Sequence, residues 1–236
     1  SSSAPKRGDI LKRPRLAKVL QSWVSTKGAV LRSGWVAKDL VSTVQKDGGI
    51  LSMKDMAAYQ PKIRPVVQGE YRGWKIWSMG PPSSGGTVLV QVLGVLDGYD
   101  IQSLGHNSSA LLHLYAESFQ HAFADRAHFM GDPDRVKVPV QELTSPERIK
   151  AVRDVFNPNQ THEASVYGAP YDAGKDDGTQ HISIIDKQGN SIALTTTINT
   201  HFGAKVVGKR SFISAPSMTI EENSPKNLAS TRRLLP

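Results

Sequence analysis

The 236-residue sequence contains no cysteine and no long apolar run. The absence of cysteine excludes disulfides, thiolate metal sites and cysteine nucleophiles, but it leaves the compartment open because exported proteins can also lack cysteine. No apolar stretch approaches the roughly 20 residues of a membrane-spanning helix, and we recognise no signal peptide. A Gly-x-x-x-x-Gly-Lys-Ser/Thr nucleotide loop and a His-x-x-x-His metal pair are also missing. The sequence therefore predicts no membrane span, cofactor or metal.

Basic residues outnumber acidic ones, giving a formal net charge of +8, but the excess lies at the two ends. Residues 1–18 hold six Lys or Arg against one acid, and residues 205–236 hold six against two. The residues between them hold 17 basic and 18 acidic groups. A nucleic-acid groove needs a basic stripe on the folded body. Basic ends on a neutral body instead indicate solvated tails, so no nucleic-acid partner is predicted.

Apolar residues at helical spacing predict a series of helices, the first opening at Pro14 and the second ending at Gly48-Gly49. Ser52, with Asp55 three residues later, predicts the cap of a third helix. Strands are predicted within residues 63–78. The apolar stripe of the first helix comprises Leu16, Val19, Leu20, Trp23 and Val24. That of a long helix from Ser108 to Ala127 comprises Leu111, Leu112, Tyr115, Phe119, Ala122 and Phe123.

The long helix also carries His113, His121 and His128 on a roughly common stripe. Their spacings correspond to about 10–12 Å of rise, too far apart for three ligands of one ion. No metal site is predicted from them. Residues 157–178, rich in Pro, Gly, Asp and Asn, predict an exposed linker, which is where a cleavable loop must lie.

One threonine, Thr179, follows an acid-acid-glycine turn and leads directly into a strand. A threonine hydroxyl is a weak nucleophile unless a base lies beside it, and cutting the chain before the threonine provides one. The new α-amine has a reference pKa of about 7.7–8.0, so it can accept and return the hydroxyl proton. Gly178 leaves its carbonyl uncrowded for attack. The hypothesis is a self-processing enzyme with Thr179 as nucleophile; a threonine that simply starts a strand after a turn is the commoner alternative.

Two alternating segments around Lys187-Gln188-Gly189-Asn190 predict a hairpin. Its pairing places Thr179 opposite Thr197 or Ile198, depending on loop length. Strand parity then gathers a polar row at one end of an apolar-backed sheet. The row contains Thr179, Thr197 and Asn199, with His181 as a further candidate. The alternative is that a threonine-rich strand is simply a good edge strand.

These segments resemble the processing site of the γ-glutamyltransferases (γ-glutamyltranspeptidases). The resemblance rests on an ordered series of motifs from about residue 10 to residue 207, which is far more specific than any one of them. The series at the processing site is Gly178 to Asp186, Gly189-Asn190, Thr195 to Asn199 and Phe202-Gly203. The series upstream is Gly48 to Leu51, Asp55 to Tyr59, Tyr71-Arg72-Gly73, Pro81 to Gly86, Ala124-Asp125-Arg126 and Gly131 to Asp134.

The resemblance implies a mixed α/β (α+β) fold of the N-terminal-nucleophile hydrolase type, a four-layer αββα sandwich that is incomplete in this chain. It implies a precursor that cuts itself between Gly178 and Thr179 into two pieces that stay together. The predicted divisions are a disordered lead (1–9), the C-terminal part of the large-subunit region (10–178), the start of the small-subunit region (179–207) and a tail without resemblance (208–236).

The implied chemistry is transfer of a γ-glutamyl group from glutathione or another γ-glutamyl amide, through a threonyl acyl-enzyme, to water, an amino acid or a dipeptide. Thr179 is then the nucleophile, Thr197 orients it by a hydrogen bond, and Asn199 helps to hold the α-amino group of the donor. No cofactor or metal is implied. A periplasmic or secreted location follows by analogy with the family.

Several family features have no match in this sequence. No position matches the arginine that grips the donor's α-carboxylate, and the Gly-Gly oxyanion hole and a carboxylate-bearing run are not found after Val207. Because each oxyanion donor contributes a factor of about 10²–10³ in turnover, most of the catalysis is expected to be lost from this chain alone. Two alternatives stay open: an acylase of the same kind acting on a glutaryl or β-lactam side chain, and a non-catalytic remnant of the fold.

Overall fold

A computed structural model describes residues 6–168, 179–198 and 205–211. Its helices are α1 (Pro14–Ser25), a 3-10 helix (Ala29–Leu31), α2 (Trp35–Lys46), α3 (Met53–Ala58), α4 (Gly85–Leu96), α5 (Ile101–Leu104), α6 (Ser109–Phe129), α7 (Val140–Leu143), α8 (Pro146–Val155) and α9 (Ala164–Tyr167). Its strands are β1 (Val67–Tyr71), β2 (Trp74–Ser78), β3 (Thr179–Ile185) and β4 (Ser191–Thr197). The described residues divide into a first unit (6–61, 179–198, 205–211) and a second unit (62–168).

The helices of the first unit begin and end where local signals predict. Pro14 is the first residue of α1, and Gly48, with φ of +84°, follows α2. The predicted capping box at α3 is confirmed: Asp55 N–H donates to Ser52 Oγ at 3.3 Å, and Ser52 N–H donates to Asp55 Oδ2 at 2.9 Å. The buried cluster of this unit comprises Val19, Val30, Val36 and Leu40.

The predicted apolar stripe of α1 is largely wrong as a buried surface. Val19 is buried, but Trp23 is 49% exposed and Val24 is 77% exposed. Helical periodicity identifies side chains that share a face, whereas burial depends on how much surface from elsewhere covers that face. In α1, side chains from the rest of the unit cover only part of the apolar stripe.

The second unit is built around α4, an almost wholly apolar helix that packs on the β1–β2 hairpin and between α6 and α8. The two strands pair antiparallel, from Val67 opposite Ser78 to Tyr71 opposite Trp74. Two positions in this unit require glycine because a neighbouring side chain lies too close to the backbone for a Cβ. A Cβ on Gly69 would lie 2.7 Å from Val90 Cγ1, and a Cβ on Gly94 would lie 2.5 Å from Ile149 Cδ1. The buried cluster comprises Val88, Val92, Leu96, Leu114 and Ala122.

The long helix α6 is confirmed, and Ser108 caps it by accepting the Leu111 N–H at 3.1 Å, but its predicted buried side is wrong in part. Leu111 and Ala122 are buried, whereas Leu112 and Phe119 are 52% and 44% exposed. Polar residues occupy much of the buried face: Glu117, Ser118, His121 and Asp125. An apolar pattern cannot reveal such a face, because a buried polar group is tolerated only through partners elsewhere in the chain.

The partners of this polar face come from the neighbouring helices. Asp125 accepts hydrogen bonds from Arg148 Nε and Nη2 at 2.9 and 2.6 Å, and from Gln91 Nε2 at 2.6 Å. Glu117 Oε2 accepts the Tyr167 hydroxyl at 2.7 Å. Tyr167 is buried, so the predicted exposed linker 157–178 is wrong at this residue, whereas the other three residues of α9 are exposed. Residues 169–178 lie outside the described part.

The three histidines of the predicted stripe have separate surroundings. His113 Nε2 lies 2.9 Å from the Asn157 carbonyl oxygen. His121 packs edge-on against Tyr167, and burial together with Arg148 lowers the pKa of its imidazole. His128 packs against Phe129. Among the helices of the described part, none combines the length and apolar composition that a membrane crossing requires.

Candidate active site

The candidate site lies on the β3–β4 hairpin, whose turn is built by one aspartate. Asp186 Oδ1 accepts the backbone N–H groups of Gln188 and Asn190, both at 2.9 Å, and Asp186 Oδ2 accepts Asn190 Nδ2 at 2.9 Å. These hydrogen bonds lower the pKa of the Asp186 carboxyl, and the one from the Asn190 side chain has the largest effect. Gly189 supplies the left-handed position, with φ of +84°. The predicted turn is confirmed, and it sets the pairing of both strands.

The resulting register places Thr179 opposite Thr197, one of the two partners that the sequence allowed. Thr179 is the first residue of β3 and is exposed, and its Oγ1 is hydrogen-bonded to Thr197 Oγ1 at 3.0 Å. A five-residue loop, 186–190, decides between Thr197 and Ile198, because it makes Ile185 pair with Ser191. The two hydroxyls therefore meet at the open end of the hairpin.

The same face of the hairpin continues the polar row toward the turn. His181 Nδ1 lies 2.8 Å from Thr195 Oγ1, and His181 Nε2 lies 3.1 Å from Ser183 Oγ. Both ring nitrogens of His181 thus have hydroxyl partners. The predicted row is confirmed for Thr179 and Thr197, and His181 lies along it. Gly178 and Asn199, the other two predicted site residues, lie outside the described part.

The opposite face of the hairpin is apolar and open. It carries Ile182, Ile184, Ile192 and Leu194, each between 51% and 56% exposed. A two-stranded hairpin alone is marginally stable in water and ordinarily needs a cover on its apolar face. Within the described residues, the Thr179 and Thr197 hydroxyls are thus hydrogen-bonded to each other, but the apolar face on the other side of the hairpin is exposed. No group of three His, Asp or Glu side chains that could hold a metal ion is found in the described part.

Comparison with known proteins decides the family. The sequence profile described as Gamma-glutamyltranspeptidase matches residues 1–218, beyond the stretch of 10–207 over which the motifs run. The chain belongs to this family. It is 37% identical over 212 residues to the "Glutathione hydrolase proenzyme" of Escherichia coli (strain K12), covering 88% of this chain and 36% of that relative.

A second relative is named an acylase. The chain is 38% identical over 176 residues to the "Acylase ACY 1 proenzyme" of Pseudomonas sp. (strain SE83), covering 75% of this chain and 31% of that relative. The chain thus spans about a third of the length of the curated relatives it matches.

Solved structures establish the fold. The chain resembles the Helicobacter pylori gamma-glutamyltranspeptidase with 39% identity and a TM-score of 0.63, over 68% of this chain and 48% of that one. It resembles the enzyme of Pseudomonas nitroreducens with 32% identity and a TM-score of 0.65, over 69% and 49%. A cephalosporin acylase from Bacillus halodurans shares the fold at 21% identity, with a TM-score of 0.74 over 90% and 37%. The predicted mixed α/β N-terminal-nucleophile hydrolase fold is confirmed, and this chain contains part of it.

Proposed function

We propose that this chain carries the processing threonine of a self-processing γ-glutamyl hydrolase or transferase. The observation that supports this most directly is the 3.0 Å hydrogen bond between Thr179 Oγ1 and Thr197 Oγ1 at the exposed start of β3. Opening the Gly178–Thr179 bond gives Thr179 a free α-amine beside its own hydroxyl. A nucleophile, a base and an orienting hydroxyl are then together at one strand end.

The proposed reaction has two steps. In the first, the Thr179 hydroxyl attacks the γ-carbonyl of glutathione or another γ-glutamyl amide, and the α-amine takes its proton. Collapse of the tetrahedral intermediate breaks the amide bond, and the departing amine receives that proton, leaving a γ-glutamyl ester on Thr179. In the second step, water, an amino acid or a dipeptide attacks the ester and frees the threonine.

Two further residues have proposed roles in this reaction. Thr197 holds the rotamer of Thr179 through the hydrogen bond between their hydroxyls, so that the attacking oxygen is oriented in advance. Asn199 is proposed to bind the α-amino group of the donor. A periplasmic or secreted location, and retention of the two processed pieces in one molecule, are part of the same proposal.

An acylase acting on another amide is the second candidate function. It is favoured by the 38% identity to a relative named "Acylase ACY 1 proenzyme". Such an enzyme would share Thr179 and its processing, and would differ in the acyl group that it accepts, such as a glutaryl or β-lactam side chain.

Intact-mass measurement of the purified chain tests the processing. Fragments matching 1–178 and 179–236 support the proposal, whereas a chain that stays uncut on long incubation supports the non-catalytic alternative. Incubation of the processed chain with γ-glutamyl-p-nitroanilide and, in parallel, with glutaryl-p-nitroanilide separates the two enzyme candidates. Release of p-nitroaniline from the first substrate alone favours the γ-glutamyl enzyme, and release from the second alone favours the acylase.

A further inference from the structure

Residues 205–211, which we call the strap, follow the hairpin in sequence and contact α1 and α2 of the same unit. The Asp39 carboxylate on α2 accepts the Arg210 N–H at 3.1 Å (Oδ1) and 2.9 Å (Oδ2), and it accepts the Ser211 N–H at 2.7 Å (Oδ2). Arg15 Nη1 on α1 donates to the Lys209 carbonyl oxygen at 3.1 Å. Two helices near the start of the chain therefore bind the backbone of a segment that lies 171 residues downstream of Asp39 and 194 residues downstream of Arg15.

The contact at Asp39 is buried and closely fitted. Asp39 is 8% exposed and Ser211 is fully buried. A Cβ on Gly208 would lie 2.2 Å from Ser211 Oγ and 2.5 Å from Asp39 Oδ2, so a larger residue would displace the strap. Burial by itself raises the pKa of the Asp39 carboxyl, but the hydrogen bonds from Ser211 and Arg210 outweigh it and lower the pKa. The buried group is therefore a carboxylate whose donors are the Arg210 and Ser211 backbone and the Ser211 side chain.

We infer that Asp39 is an anchor through which the upstream piece of the processed chain retains the downstream piece. This inference rests on the proposed function, because cleavage before Thr179 is what makes the two segments separate chains. Asp39 and Arg15 would then belong to one chain, and the strap to the other. The Asp39 carboxylate accepts from backbone N–H groups of the strap and also interacts with the Ser211 side chain. The close approach at Gly208 separately requires a small residue at that position.

The hairpin contributes little to holding the pieces together in this chain. Every residue of β3 and β4 is exposed. The strap, in contrast, places a buried serine and a buried glycine against a charged acceptor. Hydrogen bonds to a charged group are the stronger kind, and a buried charge that loses its donors is costly. The strap is therefore where loss of one side chain should matter most for retention.

The experiment uses the full chain carrying Thr179→Ala, so that self-cleavage plays no part, with a specific protease site replacing residues 174–178. In the uncut protein, hydrogen exchange is followed in peptides covering 205–211 and in α4. Asp39→Asn should speed exchange in the strap by at least about tenfold and leave α4 protected. Asp47→Asn, an exposed residue at the end of the same helix, is the charge-matched control and should change neither.

After protease cleavage, gel filtration on progressive dilution measures how tightly the pieces hold together. Asp39→Asn should raise their dissociation constant by at least about tenfold, equivalent to about 1.4 kcal/mol. Gly208→Ala should act in the same direction from the opposite side of the contact. The inference would be overturned if Asp39→Asn showed the same exchange rate in the strap and the same dissociation constant as the Asp47→Asn control. It would also be overturned if both Asp39→Asn and Gly208→Ala lost the protection of α4, because the whole fold would then be affected. Failure of the chain to cut itself, seen with Thr179 intact, would refute the proposed function separately.

Discussion

The helical core of the second unit and the hairpin of the first unit contain polar groups in opposite surroundings. In the second unit, Asp125 and Glu117 are buried in a helical core, Asp125 with Arg148 and Gln91 as its donors and Glu117 with Tyr167. On the hairpin of the first unit, hydroxyls and an imidazole lie on an exposed face and are hydrogen-bonded to one another. Burial makes loss of a polar partner costly to folding, whereas exposure leaves a group accessible to a substrate. The comparison predicts that substitutions in the core affect stability and those on the hairpin affect chemistry.

The largest effect is expected from Thr179→Ala. Removing the hydroxyl abolishes self-cleavage, because no other atom at this position can attack the Gly178 carbonyl, while the thermal midpoint stays within about 2 °C since the side chain is exposed. Intact-mass measurement after long incubation checks the first result and a melting curve the second. Thr195→Ala, on the same face of β4, is the control and should still be cut. Cleavage of Thr179→Ala at residue 178 would falsify the mechanism.

The next largest effect is expected in the core, from Arg148→Met. Asp125 is buried but the Arg148 side chain is 34% exposed, so breaking this pair leaves a buried carboxylate short of donors and should lower the free energy of unfolding by about 3 kcal/mol, the lower end of the range for buried pairs. Urea unfolding measures it. The matched control is Lys150→Met on the same helix, which breaks the exposed pair with Asp154 and should cost less than about 1 kcal/mol. Equal losses in the two variants would contradict the distinction between buried and exposed pairs.

A smaller loss is expected from Tyr167→Phe, which removes the hydroxyl that Glu117 accepts and leaves the ring in place. The substitution removes the hydrogen bond to the buried Glu117 carboxylate and the one that the hydroxyl accepts from the His162 N–H at 3.0 Å, so it should lower the free energy of unfolding by about 1–3 kcal/mol. It should also speed proteolysis near α9. Urea unfolding and limited proteolysis are the measurements. Tyr59→Phe, at a tyrosine that is 69% exposed, should leave both unchanged. A similar change in both variants would show that the Tyr167 hydroxyl does not stabilise the fold.

The smallest effect concerns pH and the anchor of the strap. The pKa of Asp39 is lowered on folding from its ordinary value of 3.8, so its contribution to stability is complete above that value and is lost as the pH falls through the lower folded pKa. The difference in unfolding free energy between the native chain and Asp39→Asn should therefore be constant above about pH 5 and shrink below pH 4. Urea unfolding from pH 3 to pH 7 measures it. A difference that stays constant to pH 3 would contradict the assignment.

Local chemistry in the sequence was sufficient for much of the hairpin and for the helix boundaries. The Asp186 to Asn190 turn, the strand alternation and the Ser52–Asp55 capping box each involve residues within a few positions of one another, so the pattern carries its own geometry. The turn and the alternation limited the partner of Thr179 to Thr197 or Ile198, and the loop length in the structure selected Thr197. The roles of Thr179, Thr197 and Asn199 in catalysis stay predictions.

Only the tertiary structure could show the hydrogen bonds between residues that are far apart in the sequence. The Tyr167–Glu117 bond spans 50 residues, and the Arg210–Asp39 bond spans 171. The buried carboxylates of Glu117 and Asp39 cannot be recognised from the pattern of apolar residues in the sequence. The exposure of Trp23 on α1, and of the apolar hairpin face, likewise depended on surface supplied from elsewhere. Periodicity determines which side chains share a face, but burial is a property of two surfaces, and a sequence pattern describes only one of them.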